Sequence, residues 1–202
     1  MKPDLWQFEK TAFEKGFSKI AGIDEAGRGP LAGPVVAAAV ILPESLPISG
    51  ITDSKKLSPK KRAYLFDQIL DQAVAVGVAK VGPAQIDRIN ILEAARLCMA
   101  LAVENLAVQP DILLIDGTFP IASDLPQKTI KKGDALSISI AAASIIAKVT
   151  RDRLMQKYHK DYPQFGFSQH KGYPTKAHKA AIRQHGCCPI HRKSFKGVKE
   201  FL

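Results

Sequence analysis

The segment Ile20-Ala21-Gly22-Ile23-Asp24-Glu25-Ala26-Gly27-Arg28-Gly29-Pro30, followed by the run Val35-Val36-Ala37-Ala38-Ala39-Val40-Ile41-Leu42, decides how this chain is built. Ile20–Ile23 has the length and apolar character of a short strand, and it reads as ending abruptly at Asp24-Glu25. The run from Val35 to Leu42 has no polar face, which predicts a strand covered on both sides. A glycine-rich turn joins the two, so the sheet begins early in the chain.

Before this segment, Asp4 is placed to cap a helix running to about Lys15, with Gly16 as its stop. Ser58-Pro59 opens another helix, behind which Leu65, Ile69, Ala73 and Val76 recur at helical spacing. Val76–Val81 reads as a strand. A short helix near Pro83–Arg88 follows, and Asn90 caps a longer one from Ile91 to Leu106 with Leu92, Ala95, Met99, Ala102 and Val103 facing the core. Asp111–Asp116 is a second apolar strand that ends in a carboxylate, and Gly117 follows it. A short strand around Lys128–Lys132 leads to Gly133-Asp134, and Ile138 begins a helix that turns polar toward Tyr162. Beyond Pro163 come loops and two short basic helices, Lys176–Gln184 and Ser194–Phe201. Strands interleaved with helices predict an α/β fold with a C-terminal basic helical lobe. The expected organisation is an N-terminal helix over 1–17, a core over 18–162 and a basic extension over 163–202, integrated in one domain.

A chain of 202 residues with 46% hydrophobic and 24% charged residues is long enough to bury a core unaided and is neither disordered nor membranous in composition. Its net charge of +10 is unevenly spread. From Arg151 onward there are twelve Lys and Arg against three Asp and Glu, and all five histidines lie there too. A basic region on a nearly neutral body is the footprint expected of a polyanion partner, most often nucleic acid, although a solvated basic face has the same composition. The first residues show no secretory pattern and the three cysteines form no disulfide framework, so the expected location is the cytoplasm.

Two strands that both finish in acids place Asp24, Glu25 and Asp116 on one rim, where sites form beyond the carboxyl ends of strands, and Asp134 is a fourth acid at the end of an apolar element. Crowded carboxylates repel, and a hard divalent cation such as Mg2+ or Mn2+ offsets that repulsion. Taken singly, such acids are ordinary solvated loop starters. Asp24 and Glu25 would also face opposite sides of a regular strand, so both ligate only if the backbone bends, for which Gly27 gives room. The turn Gly27-Arg28-Gly29-Pro30-Leu31-Ala32 matches G-x-G-x-x-A, but a dinucleotide fingerprint needs a helix next, and Pro34 and a β-type run follow instead. The turn suits a backbone clamp on a sugar-phosphate, with Arg28 as a charged fork. Asp53-Ser54-Lys55-Lys56-Leu57 offers hydroxyl and ammonium donors, Ser54 and Lys55, to a phosphate. Zinc at His185, Cys187, Cys188 and His191 is disfavoured, since adjacent cysteines lack the usual spacing.

Together Gly22–Pro30, Asp53–Leu57, Ile115-Asp116-Gly117, Lys132-Gly133-Asp134, Ala141–Asp152 and His170-Lys171-Gly172-Tyr173-Pro174-Thr175 closely resemble the bacterial ribonuclease HII family, the type 2 ribonucleases H, in family order from about Ile20 to Tyr173. Arg28 favours type 2 over the related type 3 enzymes. The resemblance implies a ribonuclease H-like fold with a central mixed β-sheet flanked by helices. It also implies an endoribonuclease that cuts the RNA strand of RNA-DNA hybrids and cuts 5′ to single ribonucleotides in duplex DNA, using two Mn2+ or Mg2+ ions and leaving 5′-phosphate and 3′-hydroxyl ends. By the same resemblance Asp24, Glu25, Asp116 and Asp134 are the metal-binding catalytic carboxylates. Gly27, Arg28 and Gly29 read the ribose 2′-hydroxyl, and Tyr173 packs on the following deoxyribose. Ser144, Lys148 and Arg151 belong to a helix behind the site and are given no catalytic role. The partners expected are RNA-DNA hybrid and ribonucleotide-containing DNA duplex, with no membrane, and the working unit a monomer. The alternative from another class is a noncatalytic basic nucleic-acid-binding protein.

Overall fold

In the computed structural model, which describes residues 4–45 and 48–202, five strands form one mixed sheet. They are β1 (Ile20–Ala26), β2 (Val35–Ile41), β3 (Ala75–Val81), β4 (Ile112–Asp116) and β5 (Gln127–Ile130), in the order β3-β2-β1-β4-β5. β1 pairs antiparallel with β2 and parallel with β4, with Ile23 opposite Ile115 as the last β1–β4 pair. The helices are α1 (Gln7–Glu14), α2 (Pro59–Gln72), α3 (Pro83–Glu104), α4 (Ile138–Asp161), α5 (Phe167–His170) and α6 (Lys176–His185).

Helices cover both faces of the sheet. Alternate residues of β2, Val35, Ala37, Ala39 and Ile41, pack with Ala94, Ala95, Cys98, Met99 and Ala102 of α3. Ala38 and Val40 pack instead with α2 and α4, through Leu65, Ile69, Ala142 and Ile146. This two-sided burial is why β2 carries no polar residue. A Cβ on Gly22 would stand 2.1 Å from the Ser139 carbonyl carbon, so glycine there lets α4 lie directly on β1. α1 adds a tie across the chain: the buried Glu9 carboxylate accepts from Ser139 N–H at 3.1 Å and from the Ser137 hydroxyl, at the N-terminus of α4 where a negative charge is favoured.

Several expectations shift in detail. β1 does not stop at Asp24; its pairing with β2 continues through Ala26. Ser58 does cap α2, accepting from Lys61 N–H at 3.2 Å, but the helix ends at Gln72 and Val76 belongs to β3. Asn90 interrupts α3 with φ 67°, and its side chain accepts from the amides of Leu92 and Glu93, so one helix ends and another is capped at the same residue. Leu92 and Val103 are only partly buried. The helix expected over Ser194–Phe201 is a series of turns with a single 3-10 turn at Lys199–Phe201, so the basic segment is only partly helical. Phe195 and Val198 pack instead into a cluster with Leu31, Phe167 and Ile182, and that compact packing sets the turns. No helix among the described residues is long and apolar enough to cross a membrane.

Candidate active site

Asp24 and Glu25 reach the same place because β4 ends first. Beyond the Ile23–Ile115 pair the parallel ladder stops, and the Glu25 amide, lacking a β4 acceptor, donates to Asp24 Oδ1 at 2.7 Å. Asp24 is thus turned along the open strand edge toward Asp116, the last residue of β4. One carboxylate oxygen each from Asp24, Glu25 and Asp116 lies within 4.8 Å of the others. Both acids sit within the β1–β2 ladder, which continues through Ala26, so the turn at Gly27 comes after them. Gly27 has a different reason for being glycine. Its φ is +104°, and a Cβ would strike the Arg151 side chain at 2.1 Å.

The electrostatics of this trio are unfavourable on their own. Asp24 is 4% exposed, and burial, then the Glu25 and Asp116 charges, raise its carboxyl well above the ordinary range despite hydrogen bonds from Ser144 and the Glu25 amide. Burial raises Glu25 too, opposed by Arg28 and reinforced by Asp116. Asp116 is raised by burial and by the Asp134 charge, although the Gly133 amide donates to its Oδ1 at 2.6 Å. Three hard oxygen donors that resist ionising together fit a divalent cation, whose charge would offset both the burial and the mutual repulsion.

Asp134 lies next to the trio, and its Oδ2 accepts from Lys55 Nζ at 3.0 Å. Burial alone would lower Lys55, but the Asp134 partner outweighs it and holds the ammonium above its usual value. Ser54 is buried, its hydroxyl 2.9 Å from that of Ser144. Ser54 therefore braces α4, and both Ser54 and Lys55 line the cavity.

That cavity, about 230 Å³, is lined by Asp24, Glu25 and Asp116 on one side, by the Gly27–Gly29 turn, and by Tyr173, which is 43% exposed. Arg28 leans on Glu25 at 3.4 Å with a half-exposed side chain, a weak pair that leaves it free to turn outward. A Cβ on Gly29 would meet only Tyr173, at 3.7 Å, so the missing side chain leaves room toward the cavity rather than relieving a clash.

Ser144, Lys148 and Arg151, expected behind the site, line the same cavity. Their signal was present as a polar stripe at i, i+4 and i+7 in a helix whose first ten residues are all buried. Arg192 was not anticipated at all. It is fully buried and donates to the carbonyls of Gly27, Arg28 and Gly33, contacts between residues at opposite ends of the chain that no local pattern announces.

Comparison with known proteins agrees with this architecture. The family model described as Ribonuclease HII matches residues 21–198. A ribonuclease HII of Geobacter metallireducens is 61% identical over 98% of this chain and 93% of the relative. Among solved structures, the ribonuclease H2 of Pyrococcus horikoshii OT3 aligns with TM-score 0.76 and 31% identity, covering 91% of this chain and 96% of the other. The ribonuclease HII solved with PCNA from Archaeoglobus fulgidus aligns with TM-score 0.75 and 30% identity, covering 88% and 95%. A mixed sheet carrying three converging acids at the ends of β1 and β4, matched over nearly its whole length by these sequences and folds, places the chain in the ribonuclease HII family.

Proposed function

We propose that this protein is a metal-dependent endoribonuclease that hydrolyses the RNA strand of RNA-DNA hybrids and cuts 5′ to a single ribonucleotide in duplex DNA, leaving 5′-phosphate and 3′-hydroxyl ends. The observation that carries this reading is the trio Asp24, Glu25 and Asp116, which opens into a cavity whose other wall is a glycine turn. Those three acids, joined by Asp134 once Lys55 is drawn away, would hold two Mn2+ or Mg2+ ions. When bound, such ions lower the pKa of an attacking water and stabilise the leaving 3′-oxygen.

The chain's own residues do the rest. Arg28 and Gly29 present backbone amides to the 2′-hydroxyl, the group that separates RNA from DNA at one nucleotide, so selection needs no base identity. Tyr173 supplies a flat face for the next sugar. Lys55 and Lys148 bring positive charge to the scissile phosphate, and the basic C-terminal segment neutralises flanking duplex phosphates. Ser144 holds Asp24 in place. All these groups come from one chain, which supports a monomer as the working unit, and three free cysteines suit the cytoplasm.

Incubation with Mn2+ and a DNA duplex containing one ribonucleotide tests the reading. Cleavage on the 5′ side of that ribonucleotide is expected. Binding without a cut would instead identify a noncatalytic nucleic-acid-binding protein.

A further inference from the structure

Two neighbouring residues near the end of the chain, His191 and Arg192, are tied to two adjoining parts of the cavity lining, the Gly27–Gly29 turn and Tyr173. Arg192 donates through Nη2 to Gly27 O at 2.6 Å, through Nη1 to Arg28 O at 2.9 Å and through Nε to Gly33 O at 2.9 Å. Each trans peptide points its carbonyl and the next residue's N–H in opposite directions. Fixing the Gly27 and Arg28 carbonyls on the guanidinium therefore aims the Arg28 and Gly29 amides the other way. Neither amide donates a hydrogen bond within the described residues.

The histidine side of the pair is a directed chain of hydrogen bonds. Tyr173 O, an acceptor, lies 3.0 Å from His178 Nδ1, which must then carry the proton. His191 Nδ1 accepts from the Cys188 amide at 3.0 Å, so its proton is on Nε2. That proton fits the 3.0 Å contact between the two Nε2 atoms, donated by His191 and accepted by His178. Every polar atom of both rings has a partner, and the Cys188 thiol also lies 3.1 Å from His191 Nδ1, where it can donate to the same unprotonated nitrogen. Both rings are buried, and burial pushes each down to about 4, so the neutral forms that this chain requires are the ones present at neutral pH.

Arg151 completes the frame, donating to Pro34 O, Ala32 O and Lys171 O at 3.0–3.1 Å. Neither buried arginine pairs with a carboxylate among the described residues, so both guanidinium groups spend their hydrogen bonds on one backbone loop and its neighbour. A cation buried without a counter-ion is a costly way to fill space and an effective way to fix carbonyls.

We infer that Arg192 and His191 are positioning residues for ribonucleotide recognition: Arg192 aims the Arg28 and Gly29 amides into the cavity, and His191, through His178, fixes the Tyr173 backbone beside them. The inference rests on the proposal that this cavity receives the ribonucleotide.

The first test is Arg192→Lys, which keeps the cation but has no fork to reach two carbonyls. With Mn2+ and a duplex holding one ribonucleotide, kcat should fall about tenfold or more. Affinity for an all-DNA duplex and for Mn2+ alone should stay within about twofold, since neither depends on where the two amides point. A folded Arg192→Lys protein with unchanged kcat and only a lower Tm would overturn the inference. Should that variant not fold, His191→Phe keeps the ring packing on Phe165 and Phe167 but removes the donor, and a smaller loss of kcat, about fivefold, is expected. A measurement on the wild-type chain needs no variant. In metal-free protein, the Arg28 and Gly29 amide resonances should shift with the ribonucleotide-containing duplex and not with the all-DNA duplex, and an equal response to both overturns the inference. If the wild-type protein cuts neither duplex, the functional proposal itself fails and takes the inference with it, whereas wild-type cleavage with intact Arg192→Lys kcat removes the inference alone.

Discussion

Lys55 Nζ and Asp134 Oδ2, 79 residues apart in sequence, meet at 3.0 Å at the rim of the acidic cluster. The lysine side chain is 75% exposed and the aspartate almost wholly buried, so the pair joins a mobile cation to a fixed anion. The ammonium is paired with the acid proposed above as a fourth metal ligand. Lys55→Met should release Asp134, and Mn2+ binding to the free protein, followed by calorimetry, should tighten several-fold. KM for the hybrid should rise at the same time as a phosphate contact is lost. Unchanged or weaker Mn2+ binding would show that Lys55 does not compete for Asp134.

Asp116→Asn removes one charge from three crowded acids. Cleavage should drop by about 100-fold or more, while duplex affinity measured by fluorescence anisotropy should change less than about twofold, because the phosphate contacts lie elsewhere. The metal-free variant should also melt higher than the wild-type protein near neutral pH. Burial and mutual repulsion raise these carboxyls in the folded state, so ionising them as pH rises through their folded values costs stability that the variant no longer loses. A lower melting temperature would argue that Asp116 is a structural acid.

Arg28→Ala should reduce the preference for a ribonucleotide-containing duplex over an all-DNA duplex by about tenfold. General affinity should fall less, since one exposed cation on a chain of net charge +10 makes a small change in the salt slope. Parallel titrations of both duplexes at two salt concentrations separate the effects. Equal losses on both would assign Arg28 to the phosphate backbone alone.

His178 and His191 make stability depend on pH in the opposite sense from the acids. Their folded-state values near 4 lie below the ordinary 6.5, so the unfolded chain binds more protons between these limits. Their contribution is complete above about pH 6.5 and is lost as pH falls toward 4, by something on the order of 3 kcal/mol for one ring. Urea unfolding across that range should show stability falling with acidification. His191→Phe should flatten the curve, and an unaltered slope would place the titrating groups elsewhere.

Periodicity and chemistry make much of this protein readable from its residues alone. An eight-residue apolar run has nowhere to sit except inside a two-sided layer, Ser58-Pro59 starts a helix wherever it lies, and two apolar runs that give way to Asp24-Glu25 and Asp116 announce a rim of acids. These are local signals, because a hydrogen bond within a turn or an apolar repeat is set by neighbours in the chain. What the sequence left open was distance. The meeting of Asp24 and Glu25 with Asp116 depends on the β1–β4 ladder stopping at the Ile23–Ile115 pair, and the paths of Ser144, Lys148 and Arg151 into the cavity depend on a glycine that lets α4 rest on β1. Arg192 reaches Gly27 through the packing of the C-terminal segment against Leu31 and Ala32, a closure across some 160 residues that no spacing rule encodes. Composition and local pattern determined the layers and the acids. Long-range packing alone decided which backbone carbonyls the buried cations would hold.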